Sequence, residues 1–196
     1  MKKIAVFISG SGSDMQSVID GCESGYIDGK VVCVVASKEG IYGLERAEKH
    51  GIDSAVFALK DYDRDCVKRD EAVINYIAAH DVDLVVLAGY LGIVSEKLVS
   101  AYRGRMINIH PSLIPAHCGK GMYGLKVHAS VLASGDKVSG ATVHYVDEGT
   151  DTGDIIVQQR VKVEEGDTPE TLQARVLETE HQLLPYAVRF LCRKDN

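Results

Sequence analysis

Short apolar runs alternate with longer amphipathic stretches over the first 110 residues, and this alternation restricts the fold more than any other feature of the chain. Runs such as residues 3–9 (KIAVFIS) and 30–36 (KVVCVVA) are apolar at consecutive positions, as expected of strands buried on both faces of a parallel sheet. Further strands are predicted at 54–59, 82–87 and 105–109, with helices ending near Cys22 and spanning about 43–50, 61–80 and 94–102. The pattern predicts an α/β fold with a doubly wound, mostly parallel sheet.

The regular alternation of predicted strands and helices ends after Pro115. A glycine-containing loop leads to a helix near 125–133, and β-rich runs follow at 139–146 and 155–163. We expect these runs to be antiparallel C-terminal strands, joined by a loop too long for a tight hairpin and followed by a helix from about Thr168. Neither a repeat nor a linker interrupts the chain, so residues 1–196 are predicted to form one domain.

The composition disfavours several classes of protein. The formal net charge of −6 argues against a basic nucleic-acid-binding surface, and no apolar run approaches the ~20 residues of a membrane-spanning helix. The basic start precedes an apolar run that stops at Ser9 and Gly10, too soon for a signal peptide. The five cysteines are scattered and odd in number, which favours free thiols in a reducing, cytoplasmic setting.

Asn108 and His110 are the strongest candidates for chemistry. They lie two residues apart on a predicted strand, so their side chains leave the same face, and Pro111 ends the strand directly after them. The carboxyl ends of strands are where open α/β sheets bind ligands. An amide and an imidazolium there can donate hydrogen bonds to one developing oxyanion, and the imidazole can transfer a proton. The same spacing also suits a histidine satisfied in the core beside a capping asparagine.

The first predicted strand is followed by the turn 10–14 (GSGSD), which leads into a helix. Its glycines allow backbone N–H groups to face an anion at the helix N-terminus. Met15 replaces the third glycine of a dinucleotide fingerprint, and no G-K-[ST] follows as it would in a P-loop. The turn therefore predicts either a site for a single phosphate or an ordinary capped turn.

A loop at 147–154 carries four carboxylates. It suits a solvated loop, or it supplies a carboxylate that folds back on His110, raises its pKa and orients it; spacing does not identify which carboxylate. A metal site is a weaker alternative, because the available ligands follow no compact zinc pattern: His110, His117, Cys118 and His128. Cys118 as a nucleophile lacks an identifiable base. We predict a site without a metal.

Six stretches match a known enzyme family in order along nearly the entire chain: 8–16, 43–47, 84–90 in part, 107–115, 140–146 and 151–156. The segment Asn-x-His-Pro-Ser-Leu-x-Pro with a downstream Asp is specific for formyl-folate enzymes in general, and the Gly-Ser-Gly-Ser loop narrows the match further. The chain thus resembles the phosphoribosylglycinamide formyltransferase family. The resemblance implies a Rossmann-like fold of the formyltransferase type and a place in purine synthesis.

The resemblance also implies a reaction between two small molecules. The glycine amine of glycinamide ribonucleotide would attack the formyl group of the co-substrate 10-formyltetrahydrofolate. Asn108 and protonated His110 would stabilise the tetrahedral intermediate, with His110 as proton donor to the folate nitrogen. Asp151 would raise the His110 pKa and relay protons through water. The oligomeric state, monomer or homodimer, is left open.

Binding residues are implied in the same way. Gly12, Ser13 and Asp14 match the substrate-phosphate loop, and Glu180 matches a residue that helps to hold the ribonucleotide. The N-terminal half would then bind the ribonucleotide, while the C-terminal half would bind folate and carry catalysis. The implied folate contacts are Arg64, Leu91, Gly92, Ile93, Val94 and Asn108.

Three departures from the family pattern affect binding. Asp14 stands where Asn is frequent, which puts a charge beside a dianion and leaves only backbone donation. Gly92 stands where Arg is frequent, so the folate glutamate loses a partner for which Arg64 is the candidate replacement. The loop 119–124 is longer than in the best-known members, and its contacts are unassigned. A cis Ile114–Pro115 bond is expected in the tight turn before it.

Three other functions share part of this pattern. A formyltetrahydrofolate deformylase uses water in place of the amine but usually carries an N-terminal regulatory domain, whereas here the first strand begins at residue 3. A methionyl-tRNA formyltransferase adds a C-terminal domain for RNA, whereas this acidic chain is expected to end after its last helix. A non-catalytic phosphate-binding module would leave Asn108, His110 and Asp151 without a role.

Overall fold

The computed structural model describes residues 1–193 and contains a seven-stranded sheet. The strands are β1 (Lys2–Ile8), β2 (Gly29–Ala36), β3 (Asp53–Val56), β4 (Leu84–Leu87), β5 (Met106–His110), β6 (Val138–Tyr145) and β7 (Ile155–Lys162). Their order across the sheet is β3-β2-β1-β4-β5-β6-β7. The first five are parallel, and β6 and β7 are antiparallel to their neighbours. The predicted sheet, mostly parallel with antiparallel C-terminal strands, is confirmed.

Helices cover both faces of the sheet. They are α1 (Ser13–Glu23), α2 (Tyr42–Lys49), α3 (Cys66–Ala79), α4 (Glu96–Ala101), α5 (Leu125–Ser134) and α6 (Pro169–Arg193), with a 3₁₀ turn at Leu59–Tyr62. Alternate residues of β1 enter different cores: Ile4 and Val6 join the core that includes α1 and α6, whereas Ala5 and Phe7 join the core of α3 and α4. A strand sandwiched in this way must be apolar at consecutive positions, which explains its sequence.

Two predicted boundaries were wrong. Strand β3 ends at Val56 and not at residue 59, because the chain turns there toward the 3₁₀ segment. Helix α3 begins at Cys66 and not at residue 61, because Asp63 and Arg64 adopt left-handed backbone conformations at φ 54° and 60°. Asp65 then caps the helix by accepting hydrogen bonds from two backbone N–H groups of its first turn.

The strand order reverses between β1 and β4, which leaves a crevice at the carboxyl edge of the sheet. The segments that follow β1, β4 and β5 all leave from this edge, since these strands are parallel. They contain the glycine-rich turn, the predicted folate segment and the histidine-proline turn. No helix within residues 1–193 is long and apolar enough to cross a membrane, and the five cysteines are unpaired.

Candidate active site

Asn108 and His110 lie at the carboxyl end of β5 in a ring of polar side chains. Asp151 lies 3.6 Å from His110, between its Oδ2 and the imidazole Nδ1, and 3.5 Å from Asn108, between its Oδ1 and the amide Nδ2. His144 completes the ring, with its Nε2 3.1 Å from Asn108 Nδ2 and 3.6 Å from Asp151 Oδ1. The structure therefore brings together the three residues singled out for catalysis and adds a fourth.

Sequence reasoning assigned no role to His144, although the register of the sheet could have pointed to it. Strand β6 runs antiparallel to β5 and places His144 directly opposite Asn108. Because the amide nitrogen of Asn108 only donates, His144 Nε2 accepts in this contact, while its Nδ1 donates to Tyr145 O at 2.8 Å. His144 thus fixes which way the Asn108 amide points.

The tautomer of His110 is set by its backbone partner. Its Nε2 lies 3.0 Å from the carbonyl oxygen of His117, which can only accept, so this nitrogen carries a hydrogen. Nδ1 is therefore the nitrogen that gains or loses a proton, and it faces Asp151. A group that reacts with His110 meets the imidazole at Nδ1.

Burial lowers the pKa of His110, although Asp151 raises it as predicted. The imidazole is almost completely buried, and desolvation of its charged form is the largest influence on its pKa. The His117 carbonyl and Asp151 both raise the pKa, and His144 lowers it. Asp151 acts in the expected direction, but it does not outweigh burial.

Asp151 is ionised in this site. Burial would raise its pKa, but the Gly119 N–H that donates to it and the neighbouring His110 help to leave the pKa below its ordinary value. Its backbone is left-handed, at φ 58°, and Gly119 N donates to its Oδ2 at 2.9 Å. Asp147 instead accepts hydrogen bonds within its own loop. The geometry therefore selects one of the four loop carboxylates.

The loop that follows Pro115 supplies backbone groups to the site. The Ile114–Pro115 bond is cis, as predicted. The imidazole of His117 is anchored on both sides, 2.8 Å from Ser130 Oγ and 2.8 Å from Asp136 Oδ2. This anchor presents the His117 carbonyl to His110, and Gly119 N–H reaches Asp151. Residues 117–119, at the start of the loop, thus orient two candidate catalytic residues, and Gly119 gives the unassigned 119–124 segment its first contact.

The glycine-rich turn leads into α1 without a side-chain cap from within residues 1–193. Gly12 takes the N-cap position at φ 69° without a side-chain cap, so the first N–H groups of the helix point toward the crevice edge without helical partners. A β-carbon at Gly12 would lie 2.9 Å from Gly43 Cα, so α2 packs too closely to admit a side chain. The turn is shaped for an anion held by backbone N–H groups.

Arg46 is a cation beside this turn that sequence reasoning missed. Its Nε donates to Ser11 O at 3.0 Å, and its Nη1 donates to Gln16 Oε1 at 3.1 Å. Both contacts tie α2 to the turn and to the first turns of α1. The spacing gave no clue to this role, because Arg46 lies more than thirty residues from the turn and is brought there by the βαβ connection.

Asp14 and Glu180 form a buried acidic pair next to the turn. They are 9% and 8% exposed, on α1 and α6. Burial raises the pKa of Asp14 to about 6, and burial together with Asp14 raises the pKa of Glu180 well above its ordinary value. His181 Nε2 lies 3.7 Å from Asp14 Oδ1, but neither atom has a hydrogen-bond partner within residues 1–193. Burial and Arg46 lower the pKa of His181, so it does not offset the acidic pair.

Replacing Asp14 by Asn should therefore stabilise the protein at neutral pH. The Asp14 pKa of about 6 exceeds the unfolded value of 3.8, so the native carboxyl retains its proton between these values. Wild-type stability falls as pH rises through that window, and above it the ionised group costs of order 1–3 kcal/mol. In the variant, the amide can also donate to His181 Nε2. Thermal unfolding at pH 4 and pH 8 should show a gain only at pH 8.

The control for this prediction is Asp20→Asn, on the same helix but exposed. It should change stability by less than about 0.5 kcal/mol at either pH. An Asp14→Asn variant with equal gains at pH 4 and pH 8 would contradict the raised pKa.

The predicted folate segment, 91–94, presents large apolar side chains at the same edge. Leu91 and Ile93 are 60% and 78% exposed. A β-carbon on Gly92 would lie 2.7 Å from the Tyr90 ring, so this ring occupies the space where a larger side chain would begin. The position of the Tyr90 ring therefore fits glycine at residue 92, where the family frequently has Arg.

The structure does not connect Arg64 with this segment. Arg64 is exposed, and no hydrogen bond or ion pair within residues 1–193 involves its guanidinium. The arginine that contacts the segment is Arg69, whose Nη2 donates to Ile93 O at 2.5 Å.

Two weaker readings find no support in the geometry. Within residues 1–193, no three His, Cys, Asp or Glu side chains are grouped as metal ligands. Burial lowers the pKa of His128 to about 4, and burial together with Asp151 raises the pKa of the Cys118 thiol. A raised thiol pKa reduces the thiolate fraction and disfavours a nucleophile.

Comparison with known proteins identifies similar sequences and structures. The family model described as "Formyl transferase" matches residues 2–188. A phosphoribosylglycinamide formyltransferase of Haemophilus influenzae is 40% identical over 100% of this chain and 92% of its own length. A chloroplastic relative from Arabidopsis thaliana is 42% identical over 98% of this chain, which spans only 66% of that protein. The crystal structure of glycinamide ribonucleotide transformylase 1 from Symbiobacterium toebii is 41% identical with a TM-score of 0.92, covering 98% of this chain and 88% of that one.

Proposed function

Because the chain belongs to the formyl transferase family, we propose that it transfers a formyl group from 10-formyltetrahydrofolate to the glycine amine of glycinamide ribonucleotide, a step of de novo purine synthesis. The observation that carries the proposal is the convergence of Asn108, His110 and Asp151 at the carboxyl end of β5. On the same edge of the sheet, the turn after β1 offers free N–H groups to a phosphate. One crevice can thus hold both substrates.

In the first step, the amine nitrogen attacks the formyl carbon and a C–N bond forms. The carbonyl oxygen becomes an oxyanion, which accepts hydrogen bonds from Asn108 Nδ2 and from protonated His110 Nδ1. Both donor atoms face Asp151, at 3.5 Å for Asn108 Nδ2 and 3.6 Å for His110 Nδ1. A reacting group that enters between them and Asp151 can replace these two contacts. His144 keeps the Asn108 amide in the donating orientation.

In the second step, the bond between the formyl carbon and the folate nitrogen breaks. That nitrogen gains a proton from His110 Nδ1, and the attacking amine loses one through water held by Asp151. The negative charge of the intermediate favours the protonated imidazole, which counteracts the effect of burial on the His110 pKa. Asp151 contributes in the same direction.

The ribonucleotide would bind at the N-terminal half of the site. Backbone N–H groups of Gly12, Ser13 and Asp14 would hold the phosphate, with Arg46 adding positive charge nearby. Glu180 would accept hydrogen bonds from the ribonucleotide, because its buried carboxyl lies next to the turn. In this arrangement Asp14 contributes its backbone N–H and not its side chain.

The folate would bind at the C-terminal half, against Leu91, Gly92, Ile93, Val94 and Asn108, with no metal required. Arg64 forms no hydrogen bond with this segment, and its proposed role is limited to pairing with the glutamate tail of the folate. We place this reaction in a single domain over residues 1–196 with two small-molecule substrates and no nucleic acid. Unpaired cysteines support a reducing, cytoplasmic location, and a homodimer is compatible with the site because all of these residues come from one chain.

The test is whether formyl release requires the amine. Purified protein is mixed with 10-formyltetrahydrofolate, with and without glycinamide ribonucleotide, and tetrahydrofolate and formylated product are measured. The proposal expects both products in equal amounts, and only with the ribonucleotide present. Formate release without the amine would instead identify a formyltetrahydrofolate deformylase. No turnover under either condition would favour a phosphate-binding module.

Dependence on the folate glutamate should be weak. Gly92 offers no cation and Arg64 is exposed, so a pairing of Arg64 with the glutamate occurs in solvent, where an ion pair contributes about 0–1 kcal/mol. Removing the glutamate from the donor should therefore raise its KM by no more than about 5-fold. Steady-state kinetics with the shortened donor provide the measurement. A much larger increase that Arg64→Ala also reproduces would assign the glutamate to Arg64.

A further inference from the structure

Hydrogen bonds from side chains hold the backbone of residues 91–94, which lead into the N-cap of α4 at Ser95. Within residues 1–193, no backbone–backbone hydrogen bond involves residues 91–94. Instead, Leu91 N donates to Ser9 Oγ at 2.8 Å, Ile93 O accepts from Arg69 Nη2 at 2.5 Å, and Ser95 N donates to Asp70 Oδ2 at 2.6 Å. Three alternate residues of the segment are thus fixed by side chains from β1's end and from α3.

Arg69 and Asp70 are buried charges, 1% and 0% exposed, at neighbouring positions on α3. Arg69 donates to Asp70 Oδ1 from Nε at 2.8 Å and from Nη2 at 2.6 Å. Each partner keeps a further contact for the segment, so the pair grips a carbonyl at Ile93 and an N–H at Ser95. We call Arg69, Asp70, Ile93 and Ser95 the clamp.

Stability does not explain why such a pair is present. Desolvation of two charges offsets much of their attraction, and apolar residues of similar size often replace a buried ion pair without loss of stability. The α3 positions that face the core otherwise carry Val73 and Ile77. The distinctive property of the pair is that its remaining hydrogen bonds reach the backbone of a segment whose residues 91–94 make no backbone–backbone hydrogen bond within residues 1–193.

The segment needs support because of what it exposes. Leu91 and Ile93 project into solvent at the carboxyl edge, next to the strand that carries Asn108. Exposed apolar side chains on a loop without backbone hydrogen bonds sample many conformations, and a ligand that binds them must then order the loop. Fixing the segment in advance removes this cost.

We propose that Arg69 and Asp70 are positioning residues for the formyl donor, which hold the 91–95 backbone so that Leu91 and Ile93 meet the folate ring system in a preset geometry. This inference rests on the proposed function for its ligand. Neither residue touches a reacting atom, so loss of the clamp affects donor binding and leaves the chemistry at His110 and the ribonucleotide site intact.

Two variants and one matched control test the clamp. Asp70→Asn keeps the size of the side chain but weakens the grip on Ser95, while Arg69→Met with Asp70→Val replaces both charges by apolar groups. The control is Glu71→Gln with Lys97→Met, which removes an exposed 2.6 Å ion pair between α3 and α4. Steady-state kinetics and calorimetric titration with tetrahydrofolate measure donor binding, and hydrogen exchange measures the amides of 91–95.

We expect donor KM and the tetrahydrofolate Kd to rise by about 10-fold or more in both clamp variants. kcat and the ribonucleotide KM should stay within about 3-fold, and exchange at Ser95 should accelerate. The control should resemble the wild type in every measurement. If the double variant does not fold, Asp70→Asn decides the outcome.

A general loss of activity, or equal changes in both KM values, would overturn the positioning role and assign the pair to stability. Unchanged exchange in 91–95 would overturn it independently of any activity. A failure of the proposed function would look different: the wild-type protein would neither turn over nor bind tetrahydrofolate, whereas exchange at Ser95 would still report whether the clamp orders the segment.

Discussion

Replacing His110 by Ala should lower kcat/KM by about 10²–10⁴-fold, which is the range for loss of a positioned general acid. His110 Nδ1 can both donate to the oxyanion and deliver a proton to the folate nitrogen, whereas both nitrogens of His144 are already engaged by Asn108 and Tyr145 O. Asn108 would remain as a single donor, so residual turnover above the uncatalysed rate is expected. Initial rates of tetrahydrofolate formation at saturating ribonucleotide provide the measurement.

The loss should reside in chemistry and not in folding. His110→Ala leaves the His117 carbonyl without its donor, at a cost of about 1–3 kcal/mol for a buried acceptor. Thermal unfolding must therefore show that the variant is folded at the assay temperature. His80→Ala removes a histidine with two comparable contacts, directly after the last residue of α3, and should keep wild-type kcat/KM. Wild-type rates in His110→Ala would remove this residue from the mechanism.

The predicted placement of Asn108 and His110 on one face of a strand is confirmed, because strand periodicity is a local rule. Two residues separated by one position share a face of β5 whatever the rest of the chain does. The parallel sheet followed from equally local evidence, the consecutive apolar residues of runs such as β1. Local patterns of this kind do not depend on tertiary contacts.

Long-range partners could not be read in the same way. His144 faces Asn108 only because β6 takes one particular register against β5. Spacing also could not choose Asp151 from its loop, since its orientation depends on a left-handed backbone at one residue and on an N–H from the 117–124 loop. The resemblance to the family pointed to Asp151, whereas the position of His144 became clear only from the pairing of β5 with β6.

Arg69 and Asp70 show a different limit. On a helical wheel two adjacent charges predict a solvent-facing position, and the apolar Val67 predicts a buried one. The structure shows the opposite of this general rule: Arg69 and Asp70 are buried, while Val67 is 43% exposed. The charges can turn inward because they pair with each other and with the 91–95 backbone, which periodicity does not describe.

Asp151→Asn should lower turnover by about 10²-fold, through electrostatics alone. The amide matches the carboxylate in size, and its oxygen can still accept from Gly119 N–H, so the loop should keep its conformation. What disappears is a negative charge 3.6 Å from His110 Nδ1. Because Asp151 raises the His110 pKa against the effect of burial, its loss should lower that pKa further.

The pH dependence of kcat separates this electrostatic role from a structural one. Protonated His110 is the active form, so kcat should fall as pH rises through the His110 pKa, and in Asp151→Asn this fall should begin at lower pH. At a fixed neutral pH a smaller fraction of His110 is then protonated, and part of the lost rate should return on acidification. Asp154→Asn, an exposed carboxylate of the same loop, should keep the wild-type profile. A uniformly lower rate with an unshifted pH profile would mean that Asp151 does not control the charge of His110. Its role would then be confined to holding the water through which the amine loses its proton.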